Sequence, residues 1–373
     1  MNTAKRDLSA DLIRCLGCIF VLLLHLHLPF RYDQSAYAKL QIFITTLTAD
    51  GVILFFAATG FFIFREKNIL KRWKKALISV FIPGLIALFF YLFTHKWLSG
   101  EMGFFESLCS TGMADLKDLA FHLLRWSVPS YAGHLWYLEE YVKCLLYYPL
   151  LLFICTEDKT AVWVRRGVIL LSFIFLLIRD SAHIGLSPMI HMDPFRIIST
   201  PAMMMLTGYE LYDWKRKRKN RDHLHVPGFI IAITVFLLVN IVRTFLQYKT
   251  GSVNPSDEYF LSWDTSFSVT AGTAFMLGIF SLGEKPGFVN RFVQVTSPCT
   301  YGIYLIHVAV INILDRYQVR DRIIDTLQAR TSFPGYLLLL LFTGLMSFFI
   351  CLSVLRTWHA VKNLIKNKII KRS

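Results

Sequence analysis

Apolar runs of close to twenty residues recur along this 373-residue chain. Each is long enough to cross a hydrocarbon core of about 30 Å. In lipid every backbone donor and acceptor must be satisfied within the protein, so only helices and closed barrels can span. Barrel strands alternate apolar and polar residues, and these runs do not. Composition agrees, with 55% hydrophobic and 17% charged residues, against roughly 25% charged in soluble domains. A soluble globular enzyme, a disordered chain and a disulfide-stapled mini-protein are excluded. The expected fold is all-α: a polytopic membrane helical bundle, one integral-membrane domain over 1–373.

Ten runs qualify as spans: 12–30, 43–64, 76–95, 134–155, 163–179, 196–212, 227–246, 264–282, 299–315 and 334–356. The first is not read as a cleaved leader, because it is long, carries Arg14 and His25, and has no small-x-small site before Pro29. Charge sets the orientation. A formal net charge of +15 would suggest nucleic acid in a soluble protein, but in a membrane protein Lys and Arg collect on cytoplasmic loops. With the N-terminus inside, 25 of the 40 Lys and Arg lie on inner segments. Both termini are therefore expected in the cytoplasm, with no nucleic-acid partner.

Six of the seven cysteines lie in or beside apolar runs, and Cys109 lies in a long outer loop near 96–133. They show neither metal-ligand nor disulfide spacing, so they read as small core residues and no metal site is expected. In the same loop Leu116, Leu119, Leu123 and Leu124 recur at helical spacing. That pattern suits a helix on the outer membrane surface or one packed on the bundle. No duplicated half is visible, which weighs against transporters built from repeats.

Ionisable residues inside a span are costly and are functional candidates by default. Asp11, Arg14 and His25 share the first run. His25 is eleven positions on from Arg14, so they project within roughly 20° of each other and lie about 16 Å apart along a helix axis. Asp11, three residues before Arg14, can pair with it. Taken singly, Arg14 can be a snorkelling residue and His25 a structural one. Their shared face favours a functional stripe. The fourth run opens GHLWYLEEYV, placing His134, Trp136, Glu139 and Glu140 at its outer end. Lys143 there can neutralise a carboxylate, and an aromatic belt is the alternative reading. The ninth run holds TYGIYLIH, with Tyr304 and His307 on one face. Arg196, near the outer start of the sixth run, suits an anion or one of those carboxylates.

The segment REKNILKRWKK brings Arg65, Lys67, Lys71, Arg72, Lys74 and Lys75 to the inner face. It is either a retention signal or a phosphate clamp for a nucleotide-bearing donor. KRKRKNR at 215–221 carries the same two readings. There is no P-loop, nucleophile elbow, zinc motif or dinucleotide-binding fingerprint.

These separated patterns together resemble the integral-membrane acyltransferase 3 family, which acylates sugars and other hydroxyl acceptors in cell-envelope molecules. Arg14 and His25 match its basic-x10-His signature, with Asp11 at its acidic position. DGVILFFAATGFFIF at 50–64 is similar to its GVxLFFxxSGF segment, with Thr59 where Ser is common. GHLWYL at 133–138 is similar to GHLWFL, and TYGIYLIH at 300–307 to SYGIYLxH. The four run in family order over about 300 residues. One departure is that Lys74 and Lys75 stand eight or nine residues before Pro83, farther than the family's basic pair.

The resemblance implies a bacterial cytoplasmic-membrane enzyme using acyl-CoA, most often acetyl-CoA, as co-substrate with no tightly bound cofactor. Arg14, Asp11, Arg65, Lys71 and Arg72 would then hold the donor. His25 would be the general base or a transient acyl carrier, assisted by Glu139, Glu140 or His307. His134, Trp136, Arg196 and Tyr304 would meet the acceptor or the oxyanion. The competing expectations are a transporter of an envelope glycan, lipid-linked intermediate or small amino acid, with His25 and His307 as a proton relay, and a structural subunit of a synthase complex.

Overall fold

A computed structural model describes residues 7–185, 198–217, 226–282 and 287–370. All regular structure among them is helical. The chain opens with α1 (Leu8–Leu24), α2 (Ser35–Ala49), α3 (Gly51–Ile63) and α4 (Ile69–Ala76). A π-helical turn at Leu77–Phe81 joins α4 to α5 (Ile82–Leu98). The long loop folds as α6 (Phe104–Ser110) and α7 (Met113–Leu124), followed by a 3-10 turn, Ser130–Leu135, and α8 (Trp136–Ile154). Then come α9 (Lys159–His183), α10 (Thr200–Lys217), α11 (Val226–Val253), α12 (Ser266–Ser281) and α13 (Gly287–Thr296). The chain continues through α14 (Thr300–Arg316), α15 (Val319–Thr326) and α16 (Phe333–Ile370).

Local chemistry sets the ends of these helices. Side-chain oxygens of Asp7, Asn68, Asp158 and Thr265 accept the orphan N–H groups of α1, α4, α9 and α12, as N-caps do. The π turn stands directly before Pro83, whose missing N–H and ring displace the normal helical ladder. Gly100, at φ +88°, closes α5 in the left-handed region.

Six stretches are long and apolar enough to cross a membrane: Ala36–Ile63, Ile69–Leu98, Lys159–His183, Val226–Val253, Gly287–Arg316 and Phe333–Lys362. The other four expected spans fall on α1, α8, α10 and α12. Helices α1 and α12 have 17 and 16 residues, short of the roughly 20 of a full crossing. Helix α8 carries Glu139, Glu140 and Lys143, and α10 carries Glu210 and Asp213. Helix α1 ends at Leu24, six residues before the expected edge, because Pro29 excludes helical geometry just ahead of it. The loop carbonyl of Leu28 is taken instead by Gln41 Nε2 at 2.8 Å.

The chain divides into two compact units. One joins the segment ending at Leu77 to Glu140–Val293, and the other joins Ile78–Glu139 to the segment beginning at Gln294. In the first, α3 packs against α1 and α10, and α11 against α2 and α12. Glycines bring these backbones together. A Cβ on Gly51 would lie 2.8 Å from Gly17 O, and one on Gly60 or Gly208 would collide with the main chain of Met205 or Ala57. Small residues at the interface are how helices associate in lipid. In the second unit α14 packs on α5, α15 and α16. As expected, six cysteines are buried and Cys109 is exposed.

Candidate active site

Asp11 and Arg14 pair at 3.5 Å within the first turns of α1, as their spacing predicts. The Arg14 guanidinium lies 4.8 Å from the centre of the Phe62 ring. Arg65, in the turn after α3, lies 4.7 Å from the same ring and 4.2 Å from that of Tyr212. Two guanidinium groups thus share one phenyl ring, an arrangement that planar, weakly hydrated cations tolerate. Arg72 Nη2 donates to Tyr141 Oη at 2.9 Å, and the charge of Arg14 also reaches that hydroxyl. Arg14, Arg65 and Arg72 therefore gather at one end of α1.

Two other bases of this loop take different partners. Lys67 Nζ donates to Cys155 O at 2.6 Å. Lys71 pairs with Glu66 at 2.5 Å, and that bond holds the Glu66 carboxyl below the usual carboxylate range. In the second basic run, Lys215 reaches Asp7 and Arg216 reaches Glu157 and Asp213, while Lys217 reaches Asp213. Residues 218–221 lie outside the described residues.

His25 caps the other end of α1, eleven residues beyond Arg14 on a continuous helix. Its side chain is exposed at that end. His27 turns away and stacks on Phe30 at 5.5 Å. Guanidinium groups thus stand toward one end of α1 and an imidazole at the other.

The second unit holds another cluster. Tyr304 Oη donates to the backbone carbonyl of His134 at 2.9 Å, pinning the 3-10 turn to α14. The His134 ring meets Tyr91 edge-on at 4.5 Å and His307 at 5.8 Å. His307 is buried, and its Nδ1 lies 2.7 Å from Tyr304 O. A carbonyl only accepts, so Nδ1 carries the proton and Nε2 is the basic nitrogen of this imidazole. Tyr301, of the same TYGIYLIH segment, donates to Val80 O in the π turn at 2.8 Å. His134, Tyr304 and His307 therefore come together, joined by Tyr91, which sequence reasoning did not single out. Trp136 and Glu139 stand in the first turn of α8. Glu140 pairs with Lys143 at 2.9 Å, the i, i+3 contact of the two open to that lysine. Arg196 lies outside the described residues. Among the described residues, no group of three His, Cys, Asp or Glu is placed to hold a metal ion.

A fully buried charged pair is among those that sequence reasoning missed. Asp50 and Arg243, in α2–α3 and α11, are both fully buried and meet at 2.7 Å. Ser268 Oγ and Asn240 Nδ2 donate to the same carboxylate at 2.6 and 3.0 Å. The guanidinium also donates to the carbonyls of Thr46, Phe260, Leu261 and Ser262. Both residues lie within expected spans, so the rule that flagged Arg14 applied equally to them.

Comparison with known proteins gives one match. A family model described as an acyltransferase domain, of the acyltransferase 3 type, matches residues 7–364. No curated protein and no solved structure matches the chain.

Proposed function

The chain belongs to the acyltransferase 3 family of membrane acyltransferases, and from that premise we propose that it moves an acyl group, acetyl above all, from cytoplasmic acyl-CoA to a hydroxyl of a cell-envelope glycan or related acceptor. The setting proposed is the bacterial cytoplasmic membrane. One observation carries the donor assignment: Arg14 and Arg65 share the Phe62 ring at one end of α1, and His25 stands at the other. Charge-assisted hydrogen bonds from these guanidinium groups and Arg72 suit the phosphates of a nucleotide. The helix rise of about 16 Å between Arg14 and His25 suits a slender thioester-bearing arm extended along it.

In the proposed reaction His25 takes the proton of the acceptor hydroxyl. The oxygen attacks the thioester carbonyl, the C–S bond breaks, and the CoA thiolate receives a proton. Asp11 orients Arg14. Glu66 draws Lys71 aside, so Lys71 contributes to the field at the donor end and Arg14, Arg65 and Arg72 make its direct contacts. Trp136 offers an aromatic face to a sugar ring, beside the turn that holds His134 and that Tyr304 pins to α14. His307, with Nε2 basic, serves a proton-transfer step of the acceptor, and Glu139 and Glu140 set the charge at the start of α8. Arg196 remains the candidate cation for an anionic acyl or acceptor group.

The test titrates acetyl-CoA against purified wild type, Arg14→Ala and His25→Ala, with binding read by calorimetry and thioester loss by free-thiol release. Arg14→Ala should weaken binding tenfold or more, since a charge-assisted contact is worth roughly 1.5–3 kcal/mol. His25→Ala should bind normally and release no thiol. Full thiol release in His25→Ala would sink the mechanism. Absence of CoA binding with several acyl groups would move the weight to a transporter.

A further inference from the structure

Helix α7 presents an apolar face that its own unit does not cover. At about 100° per residue, Met113, Leu116, Ala120 and Leu124 form one stripe. Met113 is 68% exposed and Leu124 81% exposed. Leu119 is buried and Leu123 half-buried on the neighbouring stripe, and these dock the helix. Asp115, Asp118 and His122 occupy the far side, where Asp115 accepts Gly112 N–H at 2.8 Å and Asp118 faces His122 at 3.6 Å. The helix thus has three faces: docked, polar, and apolar but bare. Phe104 and Phe105 before it and Trp126 after it are exposed as well.

The position of the helix says what covers that face. The segment containing α6 and α7 leaves from the end of one candidate span, Ile69–Leu98. Arg316, the last residue of another, donates to the carbonyls of Trp97 and Met102 at 2.5 and 3.0 Å. Two candidate span ends therefore meet where the segment begins, the level at which a membrane surface would lie. A helix with a segregated apolar face and flanking aromatic rings at that level fits the lipid interface.

We propose that α7 lies in the plane of the bilayer interface, with Met113, Leu116, Ala120 and Leu124 at the boundary of the acyl chains and Asp115, Asp118 and His122 toward water. Its C-terminal end leads into the His134 turn, and Ser127 Oγ, 2.8 Å from His122 Nδ1, closes the connection. The lipid surface thereby sets the level of that turn.

Cys109 is the exposed cysteine and the other six are buried, so Cys109→Ser gives a background for site-directed spin labels. Nitroxides are placed at 113, 118 and 124 of the full chain in phosphatidylcholine liposomes, and relaxation by oxygen is compared with that by a water-soluble nickel chelate. Oxygen should dominate at 113 and 124 and the chelate at 118, a reversal of several-fold in the accessibility ratio. Equal chelate access at 118 and 124 would overturn the proposal in favour of a helix held in water. Protection of 113 and 124 from both relaxants would overturn it in favour of a protein partner, a second copy included. The two apolar positions are separate variants, so misfolding of one leaves the other to decide.

Discussion

At the residue scale, the molecule treats its charged groups in two ways. Arg14, Arg65 and Arg72 lean on aromatic rings and a hydroxyl. Arg243 is instead enclosed, its donors spent on Asp50 and four backbone carbonyls. Breaking such a pair leaves an uncompensated buried charge, at a cost of about 3–5 kcal/mol. Arg243→Leu should therefore lower the unfolding midpoint in detergent sharply, and adding Asp50→Leu should restore part of it. A single variant as stable as the double would show that the pair contributes nothing. Glu66 gives a pH dependence of known sign. Its folded carboxyl is held below the usual value of 4.5 by Lys71, so its contribution is present above that value and fades as pH falls through the lowered one. Glu66 is partly exposed and Lys71 largely so, so the effect is small. A melting series from pH 6 to pH 3 should show a shallower acid loss in Lys71→Ala than in wild type, and superimposable curves would argue against the linkage.

At the element scale, contact between backbones decides which helices belong together. Gly60 and Gly208 are reciprocal: each sits where a side chain would strike the main chain of the other helix. Gly208→Val should separate α3 from α10 and lower stability by about 1–3 kcal/mol or more, the usual range for overpacking. A melting temperature within a degree of wild type would contradict the packing. Arg65 lies in the turn at the end of α3, so the same variant should also weaken donor binding, read by the calorimetric titration. The π turn before Pro83 is the second device of this scale. It leaves Val80 O for the Tyr301 hydroxyl, tying α5 to α14 through a motif residue whose purpose the sequence pattern alone did not disclose.

At the scale of the whole molecule, the charge bias of the sequence predicts both termini on the cytoplasmic side. A membrane-impermeant maleimide should label Cys109 from outside intact cells, while a C-terminal reporter fusion should be active only as a cytoplasmic reporter. Labelling of Cys109 only after lysis would reverse the assignment. Much of this architecture was legible in the sequence. Apolar length and the ban on unsatisfied backbone in lipid dictate helices, and strict 3.6-residue geometry alone carries Arg14 and His25 to one face. Contact at i, i+3 likewise foretold Asp11–Arg14 and Glu140–Lys143. What lies far apart in the chain was not legible. That Phe62 would carry both Arg14 and Arg65, that Asp50 would meet Arg243 across 193 residues, and that Tyr91 would join His134 to His307 are outcomes of tertiary packing. Periodicity fixes the direction of a side chain within its own helix. Only the close approach of helices at glycines and the need of each buried charge for a partner decide which side chain it meets.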